Sequence, residues 1–174
     1  AYCARTHCRE NACVHDWPTD TSKVPRPALV AAWLVLDTLP TERVPLWAAH
    51  WIADGRDGEA LRRLAGLSGN DPRDVRDLLG DALRECGVDD RDISPGASAK
   101  RAAAMEAFTA VAQLQAIGRA SERWVVSKVY EIVEPDFDPD LIGLPLGWLF
   151  GLDDEWSAGW GRTEDELQDA VQRA

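Results

Sequence analysis

Three cysteines near the start of the chain are the residues whose type and spacing could do chemistry. Cys3, Cys8 and Cys13 stand at equal five-residue steps, and His15 follows two positions after the last of them. A five-residue step turns a helix by about 500°, so successive thiols would lie about 140° apart and cannot share one helix face. We therefore expect this segment to form a loop or a pair of tight turns that brings the sulfur atoms together.

Three thiolates and one imidazole are a ligand set that holds structural zinc in a closed tetrahedron. We predict one zinc ion bound by Cys3, Cys8, Cys13 and His15, with His7 as a weaker fourth ligand because it adjoins Cys8. The segment lacks the paired Cys-x-x-Cys knuckles of zinc fingers, so three other interpretations stay open. They are one disulfide with a spare thiol, a disordered reduced tail, and an artificial head like those of chemically bicyclised display peptides.

The second candidate site lies towards the other end of the chain. Residues 134–174 hold eleven acidic residues against two arginines, a net charge of −9 within a chain total of −11. Such a segment repels phosphate backbones and attracts basic proteins, so a basic protein partner is expected and nucleic acid is not. The predicted partner-binding residues are Asp153, Asp154, Glu155, Trp156 and Trp160. The alternative is a solvated acidic face whose tryptophans plug the core.

The segments that would position these residues read as helices. Apolar residues recur every three or four positions from residue 28 onward, and capping signals accompany them. Asp71 before Pro72 marks one helix start, Ser121 marks another, and Thr163 with Glu166 forms a capping box. The predicted helices cover residues 28–39, 46–53, 59–67, 72–86, 98–117 and 121–133, and a last one runs from Thr163 to the C-terminus.

These patterns predict an all-α fold, a helical bundle of six or more helices with a short Cys/His-rich N-terminal appendage. Residues 1–24 form the head and linker, and residues 25–174 form an acidic α-helical domain. Residues 89–98 read as a polar link, and residues 141–152 hold too many glycines and prolines for a long helix. The eight tryptophans are expected chiefly in the core, and Cys86 is expected to be a small buried apolar group.

The other sequence motifs give weaker evidence of function. The helix pair 59–67 and 72–86 resembles a helix-turn-helix, but its second helix alternates aspartates with arginines, which opposes phosphate contact. No phosphate-binding loop, nucleophile elbow, zinc-protease helix or dinucleotide fingerprint occurs, so an enzyme is disfavoured. His50 is expected on the outer side of its helix. No apolar run reaches the roughly 20 residues of a membrane span, and a cytoplasmic location is expected.

Three stretches carry a resemblance to known sequences: VPLWAAHWIADGRDGEALRRLAGLSG (44–69), SERWVVSKVYEIV (121–133) and GLDDEWSAGWGRTEDEL (151–167). They resemble small acidic helical proteins of uncharacterised function from actinobacteria. Sixteen arginines against three lysines agree with a GC-rich genome of that kind. The resemblance implies no activity and transfers no functional residue.

The function predicted from these observations is a protein-binding accessory module, similar in profile to immunity or antitoxin proteins, with a structural zinc head. The first alternative is a metal-responsive or DNA-associated regulator that uses the helix-turn-helix-like hairpin. The second alternative is an enzyme with an unrecognised site among the tryptophan-rich loops.

Overall fold

The computed structural model describes residues 24–94, 96–135 and 137–174. Within these ranges the chain forms helices and turns and no strand, which confirms the predicted all-α fold with six or more helices. The α-helices are α1 (Pro27–Val35), α2 (Val44–Ala53), α3 (Glu59–Ala65), α4 (Pro72–Glu85), α5 (Asp90–Ile93), α6 (Ala97–Ala116), α7 (Glu122–Val133), α8 (Pro139–Ile142), α9 (Leu152–Ala158) and α10 (Glu164–Gln172). Two 3-10 turns, Thr41–Arg43 and Gly147–Gly151, precede α2 and α9.

Tryptophans fill the core between α1 and α2. Trp33, Trp47 and Trp51 are buried, and the rings of Trp33 and Trp47 lie 5.5 Å apart at a tilt of 46°. The indole N–H of Trp51 donates a hydrogen bond of 2.9 Å to the carbonyl of Pro25. A buried indole needs such a partner, so this bond fixes the chain where it enters α1. The prediction that tryptophans serve the core is confirmed for these three residues.

The hairpin of α3 and α4 is held by a cap that comes from a distant residue. The start of α3 has no side-chain cap of its own, and its amide groups at Ala60 and Leu61 donate to the carboxylate of Glu85 at 3.1 and 2.8 Å. Helix α4 begins as predicted, with Asp71 accepting from the amide of Arg73 at 2.8 Å. Both caps satisfy amide groups that a helix start leaves without intrahelical partners.

Helix α6 is the longest helix of the described chain, and α1 and α7 both pack against it. Its twenty residues span about 30 Å at 1.5 Å per residue. One side buries small side chains together with Phe108 and Val111. Alanines on that side let neighbouring helices approach closely, and the opposite side faces solvent.

The last two long helices start at the predicted caps. Ser121 accepts from the amide of Trp124 at 3.3 Å, and Thr163 and Glu166 form the full capping box of α10. Helix α7 buries Lys128 beside Glu131, with 2.7 Å between the ammonium nitrogen and a carboxylate oxygen. A buried lysine needs a paired carboxylate, so this ion pair is part of the core of α7.

The structure differs from the sequence prediction in its short elements. Helix α1 ends at Val35, four residues before the predicted end, and Asp37 then takes a left-handed backbone with φ of 56°. Helices α5, α8 and α9 were not predicted. Helices α5 and α8 have four residues each, about one turn, which is too short for a periodic pattern, and in the described part of the chain α9 begins without a side-chain cap, directly after a 3-10 turn. Among the described residues, no helix combines the length and apolarity that crossing a membrane requires.

Candidate functional site

One surface of the C-terminal half combines one exposed aromatic ring and two partly buried ones with carboxylates. It is built by the last turn of α7, the residues that follow it, the 3-10 turn Gly147–Gly151 and the start of α9. We call it the carboxylate–aromatic surface, and it consists of Tyr130, Glu134, Phe137, Phe150, Asp153 and Asp154.

A close backbone contact positions the 3-10 turn of this surface. A Cβ atom on Gly147 would lie 2.0 Å from the carbonyl oxygen of Leu141 and 2.7 Å from that of Ile142. Only glycine fits where the turn meets α8 so closely. The turn packs on α7 and carries Phe150 to the side chain of Tyr130.

Three aromatic rings form a row on this surface. The rings of Tyr130 and Phe150 are stacked, with centroids 5.2 Å apart and planes 4° from parallel. Phe137 meets Phe150 edge to face at 5.3 Å and 84°. Phe137 is 63% exposed and has a left-handed backbone with φ of 48°. A large apolar residue in that conformation is uncommon and strained, so the surface keeps an exposed ring at a cost in stability.

Carboxylates surround the hydroxyl end of this row. Burial raises the pKa of the Tyr130 phenol, and the negative charges of Glu134, Asp153 and Asp154 raise it further. The pKa of Asp153 is raised first by burial and then by the charge of Asp154, and Arg123 opposes this rise. Asp153 and Asp154 therefore lie close enough to repel each other, and burial further disfavours the charged form of the half-buried Asp153.

The five predicted partner-binding residues divide between several roles. Asp153 and Asp154 belong to the carboxylate–aromatic surface. Glu155 holds the loop after α9, because its carboxylate accepts from the amide, Nε and Nη2 of Arg162 at 3.2, 3.1 and 2.9 Å. The hydrogen bonds from Arg162 lower the pKa of Glu155.

The two predicted tryptophans point in different directions. Trp156 is half-buried and packs against the core, and its indole nitrogen is buried without a hydrogen-bond partner among the described residues. Trp160 is 61% exposed, in a loop where Gly159 and Gly161 have left-handed φ angles. Only Trp160 therefore offers most of its ring to a partner.

Sequence reasoning missed the aromatic row. Tyr130 was predicted only as part of the helix 121–133, and Phe137 and Phe150 were not singled out. The stack joins positions twenty residues apart, for which a single sequence has no signal. The sequence does indicate that Phe137 is exposed, since it stands alone between Pro135 and Pro139, where no amphipathic element would bury it.

The predicted metal ligands Cys3, Cys8, Cys13 and His15 lie outside the described residues. Within the described residues, no three or more histidine, cysteine or acidic side chains are grouped so that they could hold a metal ion. Cys86 is buried as predicted, and burial raises the pKa of its thiol. A neutral thiol of this kind serves packing.

Comparison of the chain with protein-family models, with curated proteins and with solved structures gives no match in any of the three. The resemblance to small acidic actinobacterial proteins therefore stays a prediction. No relative therefore supplies a function, and the carboxylate–aromatic surface is the feature from which one can be inferred.

Proposed function

We propose that this chain is a protein-binding accessory module that binds a basic partner through the carboxylate–aromatic surface. The observation that carries the proposal is Phe137, an exposed ring in a left-handed backbone at one end of an aromatic row, whose Tyr130 hydroxyl lies near carboxylates at the other end. A left-handed conformation costs an L-residue roughly 1–2 kcal/mol. Among the described residues the ring gains one edge-to-face contact, with Phe150, whereas a partner that covers it would also gain apolar burial.

The chemistry of the surface defines the partner. Apolar side chains would cover Phe137 and Phe150, and a guanidinium or ammonium group would sit near Asp153 and Asp154. The cation relieves the repulsion between these carboxylates and also interacts with the aromatic rings, a contact worth about 0.5–2 kcal/mol. We expect the partner segment to be amphipathic, with arginine or lysine beside leucine or an aromatic residue.

Binding of a defined peptide tests this proposal. The probe is a synthetic helical peptide of about twenty residues that alternates arginine pairs with leucines, and its two controls replace arginine by glutamate or leucine by serine. We expect the full chain to bind the probe and to bind both controls at least tenfold more weakly, measured by isothermal titration calorimetry. Equal binding of the arginine–serine peptide would contradict a role for the aromatic row.

A matched pair of variants separates the site from bulk charge. Asp153→Asn with Asp154→Asn removes two charges from the surface, and Glu164→Gln with Asp165→Asn removes two exposed charges from the start of α10. We expect the first pair to weaken probe binding at least tenfold and the second pair to change it less than threefold. Equal losses would mean that the acids of residues 134–174 act only through net charge. Glu155 stays unchanged in both pairs because it holds the loop through Arg162.

The zinc head is a separate proposal that depends on the sequence alone. Zinc binding contributes about 10–16 kcal/mol in small finger peptides, enough to order a short segment with few apolar residues. We expect native mass spectrometry of the full chain to show one bound zinc ion. The variant Cys8→Ala should lose this ion. Oxidised or chemically linked cysteines in the purified protein would contradict the zinc site.

The alternative of a DNA-associated regulator has less support. Two of the arginines of α4 are paired with carboxylates: Arg76 contacts Asp37, and Arg84 contacts Asp81 and Asp90. Arginines engaged in this way would have to break these pairs to reach phosphates. Binding to duplex DNA that weakens with added salt would favour this alternative.

A further inference from the structure

A second surface of the molecule is mainly apolar, in contrast to the acidic carboxylate–aromatic surface. A groove of about 720 Å³ runs between α6 and α10 and is lined mainly by apolar side chains. The principal lining residues are Met105, Phe108, Ala112, Ala116, Leu146 and Val171. Its polar edge is already bonded in part, since Gln172 donates to Glu122 at 3.0 Å. The groove therefore offers apolar area, and Glu122 is the one acidic side chain among the described residues that line it.

The solvent side of α6 beside this groove carries no charge. Residues 107–118 contain no acidic or basic side chain, although 28% of the chain is charged. The exposed residues of this stretch, with Met105 before it, are what we call the α6 face: Met105, Thr109, Ala112, Gln113, Ala116 and Ile117. The outer face of a surface helix is normally polar and charged, and depletion of charge is typical of the core of an interface.

We infer that the α6 face and its groove are where two copies of this chain associate. A twofold interface places the same surface on both partners, so any charge on it meets its own sign. Two chains of net charge −11 can approach closely only through a surface without charge. The α6 face meets this condition, and the carboxylate–aromatic surface does not. A basic partner would gain little here, since the α6 face itself carries no carboxylate and the groove, within the described chain, has only Glu122 at its edge.

The register of the helices suits an antiparallel pair of α6 helices. With the twofold axis between Ala112 and Gln113, Thr109 faces Ala116 of the second copy, because residues seven apart lie on the same side of a helix. Ile117 is 55% exposed at the end of α6 and lies at the edge of this contact. The alanines allow the helix axes to approach to about 8 Å.

The size of this surface predicts a weak dimer. Met105 to Ile117 spans about 18 Å of helix at 1.5 Å per residue. A standard interface buries about 800 Å² on each partner, and a helix pair of this length with its groove buries less. We expect a dissociation constant in the micromolar range or somewhat weaker. Added salt should tighten the dimer several-fold, because it screens the repulsion between the acidic remainders of the two chains.

Sedimentation equilibrium of the full chain, with reductant so that thiols cannot join chains, tests this inference. We expect a monomer–dimer equilibrium that Ala112→Glu weakens at least tenfold, because the variant places two carboxylates beside the twofold axis. The matched control is Ala97→Glu, which adds the same charge in the first turn of the same helix, about 22 Å away along the axis, and should leave the dimer unchanged. Ile117→Ala should weaken the dimer more moderately, about fivefold.

Two outcomes would overturn the inference. One is a wild-type chain that stays monomeric up to about 1 mM at high salt, and the other is a dimer that Ala112→Glu and Ala97→Glu weaken equally. If the wild type is monomeric, binding of the fluorescent apolar dye anilinonaphthalene sulfonate tests whether the groove takes a small molecule instead. If a monomeric wild type binds the dye and Ala112→Glu does not, the groove is a small-molecule site and the dimer is rejected.

Discussion

The carboxylate–aromatic surface and the α6 face are opposite solutions to the problem of exposing apolar groups in an acidic protein. The first joins Phe137 to an aromatic row whose Tyr130 hydroxyl lies near carboxylates, with Asp153 half removed from water. The second excludes charge over twelve residues and exposes small or uncharged side chains. Electrostatics therefore dominates any contact made through the first, whereas contact area dominates any contact made through the second.

The two surfaces also differ in what they cost the fold. Phe137 has a strained backbone, and burial and the charge of Asp154 disfavour the charged form of Asp153, so both residues lower stability. The α6 face is rich in alanine, the best helix former, and it costs almost nothing. Residues that lower stability persist where a function requires them, which directs the functional proposal to the carboxylate–aromatic surface.

Salt should separate the two surfaces most strongly. Between 50 and 500 mM NaCl the Debye length falls from about 14 Å to about 4 Å, so attraction to a basic peptide fades while repulsion between acidic chains fades too. We expect probe binding to weaken at least tenfold and self-association to tighten several-fold over this range. Titration calorimetry and sedimentation equilibrium on the same preparation measure the two trends. Two trends of the same sign would mean that the surfaces do not differ in this way.

Phe137→Gly should affect binding more than folding. Glycine accepts the left-handed backbone, which relieves roughly 1 kcal/mol, and this offsets the loss of an aromatic contact of about 0.5–1.5 kcal/mol. We expect the free energy of unfolding in urea to change by less than about 1 kcal/mol, probe binding to weaken about fivefold, and the dimer to be unchanged. A variant that unfolds readily would show that Phe137 serves the core.

Asp153→Asn should have the smallest effect and should depend on pH. The raised pKa of Asp153 means that the folded state takes up its proton at a higher pH than the unfolded state does. The half-buried charge therefore lowers stability at neutral pH, and this penalty disappears as pH falls through the folded pKa. We expect Asp153→Asn to stabilise the fold by less than about 1 kcal/mol at pH 7 and to match the wild type near pH 4. A gain that is equal at both pH values would contradict this explanation.

The long helices of this protein could be predicted from the sequence because their signals are local. Asp71 with Pro72, Ser121, and Thr163 with Glu166 each satisfy the first amide groups of a helix within four residues of chain. Apolar positions at three- and four-residue spacing then marked most of the buried faces of α4 and α7. Such interactions depend on near neighbours alone, so reading the chain in order is enough to find them.

The candidate site could be predicted only in part. Asp153 and Asp154 were found because a run of acids is visible as composition. Glu155 was predicted with them, but the structure places its carboxylate against Arg162. The ligands proposed in the cysteine head lie outside the described residues, and that prediction stays untested.

What the sequence by itself determined is the class of the fold, the starts of the long helices and the uneven charge; which tryptophans are buried was decided by the structure, where Trp148 and Trp160 are exposed. Tertiary structure alone decided the stack of Tyr130 on Phe150, the cap that Glu85 provides to α3, and the short helices α5, α8 and α9. The physical reason is the range of the interactions. Caps and periodicity act over a few residues, whereas these contacts join positions about twenty or more residues apart, or stabilise elements too short to be stable without packing.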